Sequence, residues 1–219
     1  MNGGFNVKFT VKQIGISVLI ILACLSLAIF LTVNSIWLFS INIPLLHLTT
    51  ATGLEPHQLR RDYLQIIQYL QLPWIKSLHF YYFFSSQKGI QHFSDVRHLI
   101  LFNNLVGLLL VPISGYVLTR LNKKSLTWLL ITPIKVVITF SLMIIVMMLI
   151  NFDQIFIYFH ELLFRNNDWL FDPRTDPVIN MLPDTFFLEC FILFFVIFFG
   201  TLAIIYWLGH RSLKKLQND

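Results

Sequence analysis

Residues 13–39 read QIGISVLIILACLSLAIFLTVNSIWLF, a run without a single charged side chain. At about 1.5 Å of rise per residue, a helix of this length more than covers the ~30 Å hydrocarbon core of a bilayer. The run therefore predicts a membrane span. A cleaved signal peptide has a shorter apolar core and a small-x-small exit site, whereas this stretch ends in Trp37, Leu38 and Phe39. It reads as a retained first transmembrane helix, preceded by Lys8 and Lys12.

Working outward, the whole 219-residue chain shares that character: 56% of its residues are apolar, 12% are charged, and phenylalanine alone accounts for 22. These values lie far outside soluble averages and mark an integral membrane protein. The net charge of +5 does not indicate nucleic acid, because the basic residues sit singly or in pairs beside apolar runs and form no stripe. Two cysteines, Cys24 and Cys190, fall inside apolar stretches and act there as small hydrophobes. They leave the redox compartment undetermined.

Further apolar runs at 99–118, 126–150 and 186–208 bring the expected spans to four. Lys135 falls within the third. Either that helix starts later and extends towards His160, or the lysine snorkels or pairs inside the protein. The expected fold is an all-α integral membrane protein, a single membrane domain over 1–219. Four transmembrane helices carry an extracellular cap made by two outer loops, 40–98 and 151–185, that contain interfacial helices. Lys8, Lys12, Arg120, Lys123, Lys124, Arg211, Lys214 and Lys215 gather at the termini and the 120–125 link, against one acid, Asp219. By the positive-inside rule both termini are cytoplasmic and both long loops face outwards.

Within the first long loop, Leu59, Tyr63, Ile66, Ile67 and Leu70 recur at helical spacing. His57, Gln58, Arg61, Asp62, Gln65 and Gln68 fall mainly on the other side. Glu55 and Pro56 suit a first turn and Pro73 a stop, which predicts a helix over 55–71. In the second loop Phe152, Phe156, Phe159 and Leu163 make an apolar stripe, followed by turns at Asn166, Asn167, Asp168 and Trp169 and at DPRTDP.

Of seven histidines, His92 and His160 stand out, because each adjoins an apolar span and has an acid nearby. If QHFSDV is helical, His92 and Asp95 share a face, so the carboxylate could hold one ring nitrogen and leave the other free as a base. Asp153 and His160, seven apart, fall on nearly one face of the second loop's helix. An interfacial histidine beside a helix-start aspartate, and a re-entrant helix followed by a loop, are the bland alternatives. His92, Asp95, His98, His160 and Glu161 also contain metal-binding atoms, but no HExxH is present and His92 and His98 point apart on a helix. No metal is expected. Ser85, Ser86 and Ser94 lie near His92 without a nucleophile elbow, and no P-loop or GxGxxG occurs.

FSSQKGIQHFSDVRHL (84–99) and FHELLFRNNDWLFDPRTDPVINMLPDTFF (159–187) resemble the patterns of a bacterial family, the lipoprotein intramolecular transacylases (Lit). Gln87, Lys88 and Gly89 stand where that pattern has an acidic residue. The resemblance implies a multi-pass protein of the bacterial cytoplasmic membrane with its active site at the outer face. Its partner would be a diacylglyceryl lipoprotein with a free N-terminal cysteine, within membrane lipid, and the enzyme would be a monomer that needs no cofactor. The sn-2 acyl chain of the substrate would move to the amine of its own cysteine, giving the N-acyl, S-monoacylglyceryl lyso form. The family's two histidines carry over to His92 and His160, here as general base oriented by Asp95 and as acid or oxyanion stabiliser, with the roles exchangeable. Asp153, Asn166, Asn167 and Arg174 are expected supports, and Phe84, Tyr158, Phe159 and Trp169, with Tyr81, Tyr82 and Phe83, an expected acyl-chain pocket. Intramolecular aminolysis needs no enzyme nucleophile, which fits the absence of a serine or cysteine motif. A metal-dependent membrane hydrolase and a non-enzymatic membrane accessory or sensor protein are the competing readings.

Overall fold

A computed structural model describes residues 7–218, with side chains from 11 to 217. The side chain of Lys8 and the whole of Asp219, both used in assigning orientation, lie outside the described residues. The helices are α1 (Val7–Val33), α2 (Ile36–Leu45), α3 (Leu48–Thr52), α4 (Pro56–Gln71), α5 (Gln87–Lys123), α6 (Ile131–Ile150), α7 (Phe152–Leu163) and α8 (Asp184–Asn218), with short 3-10 turns at Thr127–Leu130 and Pro177–Asn180. The described residues contain no strand.

Four stretches are long and apolar enough to cross a membrane: Val11–Val33, Gln87–Lys123, Thr127–Ile150 and Asp184–Gln217. Apolar side chains such as Phe102, Leu108, Leu149 and Ile150 point outwards from them, as hydrocarbon requires. The first span is shorter than the sequence suggests, because the helix stops at Val33 and restarts as α2 at Ile36. Side chains cause the break: Asn34 Nδ2 donates to the Phe30 carbonyl and Ser35 Oγ to that of Leu31, each at 2.8 Å. Such local bonds compete with the helix ladder. The second span is longer than expected. At 37 residues α5 extends about 55 Å, so its polar first turns, which include QHFSDV, have length to spare beyond a hydrocarbon core. Lys135 is exposed near the start of α6, which does not begin later as one alternative required.

The chain divides into two compact units. In one, Ile20, Cys24 and Ala28 of α1 pack with Leu130, Ile134 and, from α8, Phe198, Leu202 and Ile205. Glycine permits the close approaches: a Cβ on Gly107 would lie 2.7 Å from Ser26 Oγ, and one on Gly209 would lie 3.2 Å from the Thr127 carbonyl. Small residues at such crossings are how membrane helices gain packing without a hydrophobic driving force.

The other unit contains Phe30–Asn104 and Met147–Leu193. Leu59, Tyr63, Ile66, Ile67 and Leu70 of α4 are buried with Phe39, Val178, Met181 and Phe186, so the helical stripe read from sequence is the core face. Tyr63 stacks on Phe39 at 3.9 Å between ring centroids, and both meet Phe186 edge-on. Two buried charges tie the following chain to this core. Asp62, assigned to the polar face by periodicity, is fully buried and accepts the backbone N–H groups of Tyr81, Tyr82 and Phe83 at 2.8, 2.9 and 3.2 Å. Arg97 of α5 donates to the carbonyls of Tyr69, Leu72, Pro73 and Ile75. The aromatic segment HFYYFF is thereby laid along α4, and the end of α4 is fastened to α5.

Replacing Asp62 with alanine strands three amides at once. At roughly 1–3 kcal/mol for each unsatisfied buried group, Asp62→Ala should lower the thermal unfolding midpoint in detergent markedly, and more than Asp62→Asn, whose amide oxygen still accepts. An unchanged midpoint for the alanine variant would contradict this role.

Candidate active site

His92 comes from the first turns of α5 and His160 from the last turn of α7. Both are buried, and their ring centroids stand 5.8 Å apart at an interplanar angle of 38°. Aromatic rings enclose the pair. Phe164 lies 4.9 Å from His92 and 5.8 Å from His160, touching both. Phe171 packs on His92 at 5.5 Å. Phe156 and Trp169 lie 4.2 and 4.9 Å from His160, and Phe159 meets it edge-on.

The local sequence explains this arrangement. Phe156, His160 and Phe164 recur every four residues, which brings them to one side of α7 and its C-terminal cap. Asn151 starts that helix by accepting Gln154 N–H at 3.1 Å. At the other end Asn166 Oδ1 accepts Asp168 N–H, and the Asn166 carbonyl accepts the Trp169 indole N–H at 3.0 Å. This turn carries the Trp169 ring to His160.

His160 Nδ1 is 2.8 Å from the carbonyl of Phe156. A carbonyl can only accept, so Nδ1 carries the proton, and the neutral ring presents an unprotonated Nε2. Burial pushes the His160 pKa below its ordinary value, outweighing the Phe156 carbonyl and the negative charge of Asp184, which push it up. His160 therefore rests as a neutral imidazole. His92 Nδ1 is buried without a hydrogen-bond partner.

Asp95 does not orient His92, contrary to the expectation from spacing. Its Oδ1 accepts from Gln91 Nε2 at 2.8 Å and its Oδ2 from Asn166 Nδ2 at 2.9 Å. Helical spacing put the two side chains on one face, but neutral amides claimed the carboxylate. Asn166 thus joins Asp95 to the turn that carries Trp169. Asn167 is exposed and enters the turn through its backbone carbonyl. Asp153 is exposed in the first turn of α7, at the far end from His160. Arg174 is exposed and pairs with Asp172 at 2.7 Å, its hydrogen bonds holding that carboxyl down to about 2. Of the expected pocket aromatics, Trp169 and Phe159 contact His160, while Phe84 and Tyr158 are exposed. Among the described residues, no three His, Cys, Asp or Glu side chains converge to hold a metal ion.

Asp176 was missed by sequence reasoning. It is 3% exposed, and its Oδ1 accepts from Ser85 Oγ and from the backbone N–H of Ser86, both at 2.7 Å. Its Oδ2 accepts from Thr175 Oγ1 at 2.9 Å. Burial pushes the Asp176 pKa up, but the bonds from Ser85, Ser86 and Thr175 prevail and hold it below the ordinary value. Ser86 Oγ in turn accepts the Gly89 N–H at 3.0 Å, capping α5. A Cβ on residue 89 would stand 2.2 Å from Asp176 Oδ1. Gly89 is therefore the gap into which the second loop's acid presses. An acidic side chain at 89 would collide with it. Ser85, a conceivable nucleophile from sequence, is instead a donor to Asp176.

A model of the family described as lipoprotein intramolecular transacylase Lit matches residues 14–187. Three solved structures of the membrane integral lipoprotein intramolecular transacylase Lit from Bacillus cereus are similar to this chain. One is 26% identical with a TM-score of 0.85, covering 96% of this chain and 98% of that one. A variant of it with a histidine replaced by arginine is 27% identical, TM-score 0.79, covering 99% of each chain. A variant with alanine at the same position is 27% identical, TM-score 0.79, covering 96% of each. No curated protein matches the chain.

If Gly89 serves to admit Asp176, the two positions are coupled. Gly89→Ala alone should impair activity strongly. In an Asp176→Ala background it should add little further loss, since the colliding carboxylate is gone and the other close atom, Ser85 Oγ at 2.5 Å, can rotate away. Additive losses in a double-mutant cycle would refute the coupling.

Proposed function

Because the chain belongs to the lipoprotein intramolecular transacylase (Lit) family and is a multi-pass membrane acyltransferase, we propose that His92 and His160 carry its chemistry. The activity moves the sn-2 acyl chain of a diacylglyceryl-modified lipoprotein to the amine of that lipoprotein's own N-terminal cysteine. A C–N amide bond forms, the ester C–O bond breaks, one proton leaves the amine and one reaches the departing glycerol oxygen. The products are an N-acyl chain and a lyso glyceryl group. No atom need be held covalently by the enzyme.

The observation that carries the assignment is the pairing of two buried imidazoles 5.8 Å apart, one with a determined tautomer. His160, neutral and with Nε2 unprotonated, takes the proton of the attacking amine. The resulting His160 imidazolium returns that proton to the leaving oxygen, while the N–H of neutral His92 donates a hydrogen bond to the oxyanion. This exchanges the roles first expected, and the reason is that His160, not His92, has the partner that leaves a free lone pair. The aromatic enclosure excludes water, which protects the acyl group from hydrolysis. Because amine and ester belong to one molecule, confinement in that enclosure lowers the entropic barrier, a contribution that can reach several kcal/mol. The substrate presents a free N-terminal cysteine amine, and the enzyme acts as a monomer. Both termini face the cytoplasm, and the 40–98 and 151–185 segments form an outer cap holding the site. The distribution of Lys and Arg supports that orientation.

Mass spectrometry of a lipoprotein co-expressed in a host lacking its own N-acylation tests the pair. His92→Ala and His160→Ala should each abolish or reduce the lyso product by about 100-fold or more. Undiminished product from either variant removes that histidine from the mechanism. The lowered His160 pKa gives a second expectation. Both the base and the attacking amine must be neutral, and the substrate's α-amine titrates near ~7.7–8.0. Turnover should therefore first fall along the amine's limb, with a His160 limb only below the ordinary histidine value of ~6.5. A second acidic limb centred at or above ~6.5, beyond the one set by the amine, would contradict His160 as the base.

A further inference from the structure

This inference rests on the histidine-pair reading and concerns how the substrate amine reaches it. Beside the pair, α5 and the segment after α7 border an open groove of about 240 Å³, lined by Asp95, His98, Phe164, Arg165 and Asn166 with two leucines. Phe164 is the same residue whose ring touches both imidazoles. Asp95 is the only carboxylate in the lining. It lies on α5 three residues beyond His92, and Asn166 links it to the turn that carries Trp169 to His160.

The state of this carboxylate is unusual. Each oxygen accepts one bond from a neutral amide, Gln91 or Asn166, so the group is held in orientation without being neutralised. A carboxylate offers about four acceptor sites, which leaves about half of its capacity open. His98 and Arg165 share the groove, yet neither pairs with it; among the described residues the one ion pair is Arg174 with Asp172. Nor does Asp95 bond to His92. A half-buried negative charge, aimed by two amides and forming no ion pair with the Arg165 that shares its groove, can receive a cation.

The substrate supplies one. An α-amino group titrates near ~7.7–8.0, so a lipoprotein's free N-terminus arrives mainly as ammonium. We propose that Asp95 is the recognition site for that α-ammonium and selects substrates with an unmodified N-terminal cysteine. Docking there brings the nitrogen beside the histidine pair while it is still charged, and the ammonium releases its extra proton to solvent at the open groove before the neutral amine attacks. A substrate whose amine is already acylated presents no cation and gains nothing from the carboxylate.

Binding to the full-length protein in lipid nanodiscs tests this without turnover. The ligands are two cysteine peptides bearing an ether-linked dialkylglyceryl group, which has no acyl chain to transfer, one with a free amine and one N-acetylated. The native protein should bind the free-amine peptide about tenfold more tightly, the scale of one charge-assisted contact at ~1.4 kcal/mol. Asp95→Asn should abolish that preference while leaving affinity for the N-acetyl peptide unchanged. The proposal is overturned if the native protein shows no preference, if Asp95→Asn keeps it, or if the variant weakens both peptides equally. Since no acyl transfer occurs, the outcome is independent of the mass-spectrometric test of the two histidines.

Discussion

The carboxylate of Asp176 joins two stretches of chain far apart in sequence, and the site exists because it does. It accepts the Ser86 N–H and the Ser85 hydroxyl at the beginning of α5, while its own backbone belongs to the turn that follows Trp169. One oxygen, Oδ1, thereby ties the helix that carries His92 to the loop whose aromatics surround His160. The bond is also favourable for its location, since a negative charge at a helix N-terminus meets unpaired N–H groups. Gly89 completes the junction, because any side chain there would keep the carboxylate away. Ten residues along α5, Arg97 binds four carbonyls at the end of α4. The stretch bearing His92 and Asp95 is secured at both ends.

Around that junction the protein solves a problem posed by its lipid substrate. Acid–base groups work best in a dry, enclosed place, but burying ionised groups is costly. The two groups proposed to react are imidazoles in an enclosure of Phe156, Phe164, Phe171 and Trp169. Asp95 bonds to Gln91 and Asn166 and not to either ring. A backbone carbonyl orients His160, where many histidine bases rely on an acid.

Much of this was legible before any coordinates. A long run of apolar residues has few fates other than a membrane span, and the α4 stripe announced its buried face because periodicity follows directly from helix geometry. Boundaries were less legible: nothing in hydropathy reveals that Asn34 and Ser35 spend their side chains on carbonyls one turn back. Asp62 looked wet by periodicity, since its partners, the amides at 81–83, come from a segment that only tertiary structure lays beside it. Spacing could place His92 and Asp95 on one face but could not say that Gln91 and Asn166 would take the carboxylate. The pairing of His92 with His160 came from the family patterns, not from spacing. Gly89, which read as a missing acid, is space left for an acid that arrives from the other loop. The four-residue recurrence of Phe156, His160 and Phe164 was visible in the sequence and could have named the enclosure.

His160 occupies the last turn of α7. The terminal carbonyls of a helix have no intrahelical donors, and the aligned peptide dipoles leave roughly half a negative charge there. A proton arriving on His160 is therefore met by the field of the helix that carries it. On the proposed mechanism the site stays uncharged at rest, compatible with acyl chains, and becomes cationic for the interval between one proton transfer and the next. The stabilising dipole is made of backbone that folding has already oriented, so no side chain or water has to rearrange when the charge appears.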